Sequence, residues 1–281
     1  MIGEAINLFS FPFVQRMLVA GLLASIVGGV IGTYVVVNRV VVMSGGIAHI
    51  TFGGIGLAYL LQDKLNWSWM DPIIGAVIFA LGAGVIFSSN SIQERVRQDS
   101  TVGVLWAMGM AVGILFLNLV DKSKVTVQEP ASILFGNILL IEKLDLYVFA
   151  GITLGILLLV MLFFRDLRII TFDEEFARIS GLNVDGLNLL LFSLIALTVV
   201  ILIKVVGVIL VIATLTIPAA IASVFTNRLH TTMGIAVLIG LTGSFLGIFS
   251  SLLFDTPPGP MIVLWLGGMF IPAFVLGKKF V

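Results

Sequence analysis

The sequence predicts an all-α protein, a polytopic bundle of eight or nine membrane-spanning helices in a single domain over 1–281. Three observations predict it. Of the 281 residues 59% are hydrophobic and only 11% charged, well under the roughly 25% charged of a soluble domain. Uncharged runs of about 20 residues recur, the length that crosses a hydrocarbon core. Thirty glycines, many inside those runs, as in GVIG (29–32), GGIG (53–56) and GMAVG (109–113), let helix backbones approach closely, as in a compact bundle rather than a lone anchor.

Taken in order, the chain opens on MIGEAINLFSFPFVQR, where Glu4 precedes Arg16 and no basic stretch leads. It reads as an interfacial lead-in, not a cleaved signal peptide. Apolar runs bounded by charge, Pro or Gly then give nine candidate spans: 13–37, 41–61, 71–90, 102–120, 144–164, 187–203, 206–226, 233–254 and 260–277. Two joints are ambiguous, at Asn38-Arg39 where two spans almost touch, and at Lys204 between two others. ASILFGNILLI (131–141) is too short to cross, so it lies in the interface or re-enters.

Positive charge sets the orientation. With 165–186 inside, strict alternation puts nine basic residues inside and six outside, including seven of the eight arginines inside. The net charge is zero and no basic run is long enough to grip nucleic acid, so none is expected as a partner. With no cysteine, any metal must be held by His, carboxylate, amide or backbone oxygen. HExxH, GxSxG and the phosphate-cradling GxxxxGK[ST] are all absent, so the chain is not expected to be an enzyme or to hydrolyse ATP.

The most polar stretch is RDLRIITFDEEFARISGLNVDG (165–186), on the cytoplasmic side. Thr171 with Glu174 forms a capping-box pattern, acids fill the first turn and Gly181 supplies the stop, predicting a short helix over about 171–182. Phe172, Phe176, Ile179 and Leu182 make one apolar stripe on it. Its acidic face argues against an anionic lipid surface. Docking to a soluble partner is the favoured reading, and a purely structural loop helix is the alternative.

Two residues inside spans stand out. His49 sits in MSGGIAHITFGGIGLAYLL (43–61), and an ionisable group within a span points to a functional site, because a partner or polar cavity must offset its cost. A helix-to-helix hydrogen bond is the structural alternative. Gly45, Gly46 and Gly53, one turn away on the same face, are expected to leave open space beside the ring. Pro218, in TLTIPAAIA, removes one backbone hydrogen bond and predicts a kink, either shape alone or a hinge. Asp99, just before Ser100 and Thr101, is read as capping the fourth span, and His230 as a solvated turn residue.

The stretch TFDEEFARISGLNVDGLNLLLFSLIALTVVILIKVVGVILVIATLTIPAAIA resembles the signature region of the membrane subunits of ABC importers for zinc, manganese or iron. MSGGIAHITFGGIGLAYLL resembles that family's second helix, and RQDSTVGVLWAMGMAVGILF and LFGNIL match further stretches, in order over about 12–277. The resemblance implies a permease homodimer in a prokaryotic plasma membrane, bound to two copies of a cytoplasmic ATPase and loaded by an extracytoplasmic metal-binding protein. The cargo implied is a divalent metal, zinc or manganese foremost, with no resident cofactor. It implies a coupling role for Phe172, Asp173, Glu175, Ala177 and Gly181, and an ATPase-interface role for Asp99. His49 is implied as a transient pathway ligand. The family commonly carries Asp four residues before that His and often Asp within LFGNIL, where this chain has Gly45 and Asn137. Asn137 is thus a neutral candidate ligand. The competing class is an ion- or proton-coupled carrier that needs no ATPase, which no internal repeat supports.

Overall fold

The computed structural model describes residues 11–89, 98–121, 123–136, 138 and 141–277, and among them every regular element is a helix. In chain order these are α1 (Pro12–Val37), α2 (Val41–Leu65), α3 (Pro72–Ser88), α4 (Gln98–Leu119), α5 (Pro130–Phe135), α6 (Lys143–Leu162), α7 (Phe164–Phe172), α8 (Glu174–Ile179), α9 (Val184–Val206), α10 (Val211–Phe225), α11 (Leu229–Phe254) and α12 (Pro258–Gly277).

Among the described residues seven helices are long and apolar enough to cross a membrane, and α3 and α10 are shorter apolar helices. The nine expected spans therefore all exist as helices. At 17 and 15 residues, α3 and α10 rise about 25 and 22 Å, so flanking residues complete their passage of a core about 30 Å thick.

The expected sidedness agrees with four contacts that join distant loops. Asn38 Nδ2 donates to Thr171 Oγ1 at 3.3 Å at the predicted inner end. At the outer end, Arg16 Nη1 donates to the Ile141 carbonyl at 3.0 Å, Asp121 N donates to Asp63 Oδ2 at 3.1 Å, and Lys204 Nζ pairs with Asp145 Oδ1 at 2.5 Å.

Helix α9 is the hub. Ile195, Ala196, Val199 and Ile201 are fully buried, and the helix packs on α1, α2, α3, α6 and α10. Helix α2 lies between α3 and α4, while α1 packs on α10 and α11, with α12 outside them. The predicted glycine seams are present. Gly53 and Gly56 of α2 face Gly109 and Gly113 of α4, with a Cβ on Gly53 reaching the Gly109 carbonyl at 3.1 Å and one on Gly56 reaching the Gly113 carbonyl at 2.7 Å. A Cβ on Gly29 would lie 2.6 Å from Val237 N of α11.

Both ambiguous joints resolve. At the first, α1 ends in a paired C-terminal motif, with Val40 N bonding the Val35 carbonyl at 3.0 Å and Arg39 N the Val36 carbonyl at 3.1 Å. Arg39 takes φ 59 there, a left-handed position more usual for glycine. At the second, the break falls at Gly207 and not at Lys204, which stays within the last turn of α9. The reason is the ion pair with Asp145, which lets a charge remain in the helix. The pair walls a cavity of about 80 Å³ between α2, α3, α6 and α9.

Helix α5 packs into the α9–α10 break, as a short interfacial or re-entrant piece should. Val208 N and Ile209 N bond the carbonyls of Ile133 and Leu134 at 3.3 and 3.0 Å. Gly136 and Gly207 both have positive φ, 76 and 86 degrees, and a Cβ on either would overlap the other's backbone segment.

Candidate functional site

Histidine 49 lies on α2 and is 5% exposed. Its Nδ1 is 2.9 Å from the Gly45 carbonyl oxygen, an atom that only accepts, so Nδ1 carries a proton and in the neutral ring the lone pair lies on Nε2. Metal-binding imidazoles are oriented in the same way by such a bond. One face of the ring stacks on Trp106 of α4, with centroids 4.0 Å apart and planes at 30°.

The expected open space beside the ring is not there. A Cβ on Gly45 would meet Ile212 Cδ1 of α10 at 2.7 Å, and one on Gly46 would meet Val102 and Phe87 at 3.2 and 3.3 Å. Gly53 belongs to the α2–α4 seam. The glycines bring neighbouring helices in, and those neighbours fill the room that the missing side chains leave. The site is closed, with Trp106 stacked on the ring and Ile212 filling the space at Gly45. Neither residue was singled out in the sequence, because a Trp and an Ile inside apolar runs look like ordinary lipid-facing or packing residues.

Asn137 lies outside the described residues. Among the described residues no three His, Cys, Asp or Glu side chains gather as a metal group.

The cytoplasmic segment differs from its predicted form. It is an elbow of two helices, α7 and α8, broken at Asp173 with φ −154 and ψ 91. Asp173 is the cap, its Oδ1 accepting from Phe176 N at 2.8 Å. Thr171 is not, because buried Leu167 and Ile170 keep α7 helical past it and its hydroxyl donates back to the Leu167 carbonyl at 2.7 Å. Gly181, φ 81, closes α8 as expected, with Leu182 N bonding the Ala177 carbonyl at 3.1 Å.

On this elbow Phe172, Phe176 and Ile179 are 61, 55 and 81% exposed while Ala177 is fully buried. Three of the four stripe residues thus face outward, and Leu182 packs inward on the core. Arg178 pairs with Glu174 and Asp185, both at 3.2 Å, which raises its already high pKa. Asp173 and Glu175 are exposed on the same elbow.

Pro218 lies within α10. Its missing N–H frees the Thr214 carbonyl, which faces Gly28 of α1 at 3.7 Å from a notional Cβ. The next carbonyl, of Leu215, lies where a Cβ on Gly32 would have to be. The Thr214 hydroxyl bonds the Val211 carbonyl at 3.0 Å. The carbonyls of Thr214 and Leu215 thus face the glycines Gly28 and Gly32 of α1, where side chains would not leave them room. Asp99 lies within the first turn of α4, and His230 is exposed in the first turn of α11.

The sequence profile described as the ABC 3 transport family matches residues 10–277. The chain belongs to the ABC 3 transport family. It is 34% identical over 273 residues to the manganese transport system membrane protein MntC of Halalkalibacterium halodurans, covering 97% of this chain and 90% of that one. It is 33% identical over 280 residues to a probable metal transport system membrane protein of Chlamydia trachomatis, covering 100% and 94%. Among solved structures, PsaBC from Streptococcus pneumoniae in complex with Fab matches with a TM-score of 0.84 and 30% identity, over 98% of this chain and 95% of that one.

As an ABC 3 family member the chain is a multi-pass plasma-membrane permease subunit of an ATP-driven importer, and ATP hydrolysis falls to a separate subunit. This displaces the alternative of a carrier that runs without an ATPase.

Proposed function

We propose that this chain is the permease of a manganese importer, acting as a homodimer on two copies of a cytoplasmic ATPase and loaded by an extracytoplasmic metal-binding protein. Manganese is favoured over zinc because relatives over nearly the whole chain carry that name, in Halalkalibacterium halodurans, Listeria monocytogenes and Streptococcus gordonii. The reading rests foremost on the elbow: three large apolar side chains exposed at the cytoplasmic end of a chain with no ATP-binding loop of its own. A groove on the ATPase would cover Phe172, Phe176 and Ile179. Asp173 and Gly181 would fix the shape of α8, Ala177 would root it in the bundle, and Glu175 would lie at the contact's rim.

The cargo passes as a dehydrated dication for which His49 Nε2 is one neutral ligand. Backbone oxygens, and Asn137 as a candidate amide, supply hard donors of the kind manganese takes. With no carboxylate at Gly45 the ion is held weakly, which suits conduction, since a site that binds too well does not release. Passage requires Trp106 to move off the ring and Ile212 to clear the space at Gly45, so the closed site is one state of an alternating cycle. Pro218, in the helix that carries Ile212, is the hinge in this scheme.

The test is co-purification of the complex from detergent. Phe176→Glu with Ile179→Glu should strip the ATPase from the permease and leave the permease dimer, read as mass by light scattering. Retention of the ATPase by that variant would show that the motor docks elsewhere.

A further inference from the structure

One side-chain bond joins the elbow proposed as the docking site to the corner that leads into the helix carrying His49. Asn38 Nδ2 donates to Thr171 Oγ1 at 3.3 Å and to the Tyr34 carbonyl at 2.9 Å. The Thr171 hydroxyl in turn donates to the Leu167 carbonyl at 2.7 Å, so Thr171 is fixed in α7 two residues before the Asp173 cap of α8. Asn38 is the C-cap of α1 in a corner of only three residues, and α2 starts at Val41.

That corner is stiff. Its two paired bonds, from Val40 N and Arg39 N, hold Arg39 at φ 59, a conformation that a non-glycine residue keeps only when its surroundings impose it. A pull on Asn38 is therefore passed to both helices of the α1–α2 hairpin instead of being absorbed in a loop. His49 follows eight residues after the start of α2, about 12 Å along one continuous helix. Its Nδ1 bond to Gly45 keeps the ring tied to that helix's backbone. Elsewhere α7 and α8 pack on α6 and α9, and Arg178 pairs with Asp185 while Asn188 Nδ2 donates to Glu174 Oε1 at 3.4 Å, contacts that hold the elbow to α9 but do not reach the α1–α2 corner.

We infer that Asn38 is a positioning residue for transport: through Thr171 it ties the elbow to the α1–α2 corner, so that movement of α7 carries α2 and His49 with it. This rests on the elbow being the docking site proposed above. Asn38 itself touches neither the ATPase nor the cargo. It sets how faithfully the motor's movement reaches the pathway.

The experiment uses the complete complex in proteoliposomes, with ATPase and binding protein, and measures ATP hydrolysed per manganese ion delivered. Thr171→Val has the same shape without the hydroxyl, and with Asn38→Ala it should raise that ratio roughly fivefold, the factor that one net hydrogen bond represents. Bound ATPase should be unchanged. The double variant should be no worse than either single one, and Thr171→Ser should restore the natural ratio. A natural ratio in Thr171→Val, with only the melting temperature lowered, would make the bond structural and overturn the inference. Additive losses in the double variant would overturn it too, because the residues would then act separately. Failure of the elbow reading shows in a different place, as ATPase retained by Phe176→Glu with Ile179→Glu, so the two results are told apart.

Discussion

Replacing Gly109 by alanine tests the α2–α4 seam on which the closed His49 site depends. A Cβ at Gly109 would stand 2.6 Å from the His49 carbonyl oxygen and 2.7 Å from Ile50 N, both backbone atoms that cannot rotate away. Ordinary contact begins near 3.4 Å and the Cβ would lie closer still to Ile50 Cα, so α4 must retreat from α2 by more than 3.4 − 2.6 = 0.8 Å. Trp106 lies one turn earlier on the same helix, and its 4.0 Å stack on His49 would loosen with it. Overpacking of this kind costs about 1–3 kcal/mol, or roughly 2–12 °C in melting temperature for a chain of this size. The assay is thermal unfolding of the purified permease in detergent, followed by tryptophan fluorescence. Gly103→Ala, in the same helix, is the control, since a Cβ there meets nothing within 4 Å. Equal melting temperatures for the two variants would refute the claim that the seam is closed to a methyl group.

Gly207→Ala should be worse than Gly109→Ala, by about 1–3 kcal/mol of backbone strain added to the overlap, because φ is 86 at Gly207 and Gly136 lies against it; expression and monodispersity on size exclusion read this directly. Pro218→Ala restores an N–H to the Thr214 carbonyl and should leave the fold intact, or up to about 1 kcal/mol more stable, while slowing uptake. Gly45→Asp should increase manganese retained by the purified permease, measured by elemental analysis. The effect should be larger with Ile212→Ala, since Ile212 Cδ1 occupies the space at 2.7 Å. The Asp121 carboxyl, held below the ordinary carboxylate range by the Ser123 hydroxyl and N–H, keeps its loop contact above the ordinary carboxylate pKa. It loses that contact only as pH falls through the lowered value, and Ser123→Ala should move the loss to higher pH in a carboxyl-carbon NMR titration.

The nine apolar helices and the glycine seams were legible because a bilayer leaves few alternatives. Backbone polar groups must be satisfied within the helix, and small residues at three- and four-residue spacing are where helices meet. GGIG and GMAVG face each other for that reason. Local rules failed where tertiary contacts decide. Lys204 looks like a boundary until Asp145, 59 residues earlier in the chain, neutralises it. Thr171 matches a cap pattern, yet burial of Ile170 carries the helix past it to Asp173. The largest gap was at His49. Glycines on its face signal both a cavity and a close helix approach, and which one holds depends on Trp106, Phe87 and Ile212, residues 38 to 163 positions away.

The most direct measurement is manganese uptake into proteoliposomes that contain the permease, its ATPase and its binding protein, with zinc and iron alongside, for the natural chain and for His49→Ala. ATP-dependent manganese uptake that falls at least tenfold in the variant, about 1.4 kcal/mol, while the complex stays assembled, is the predicted result. Uptake of no metal by the natural complex, or full manganese uptake by His49→Ala, would contradict the account.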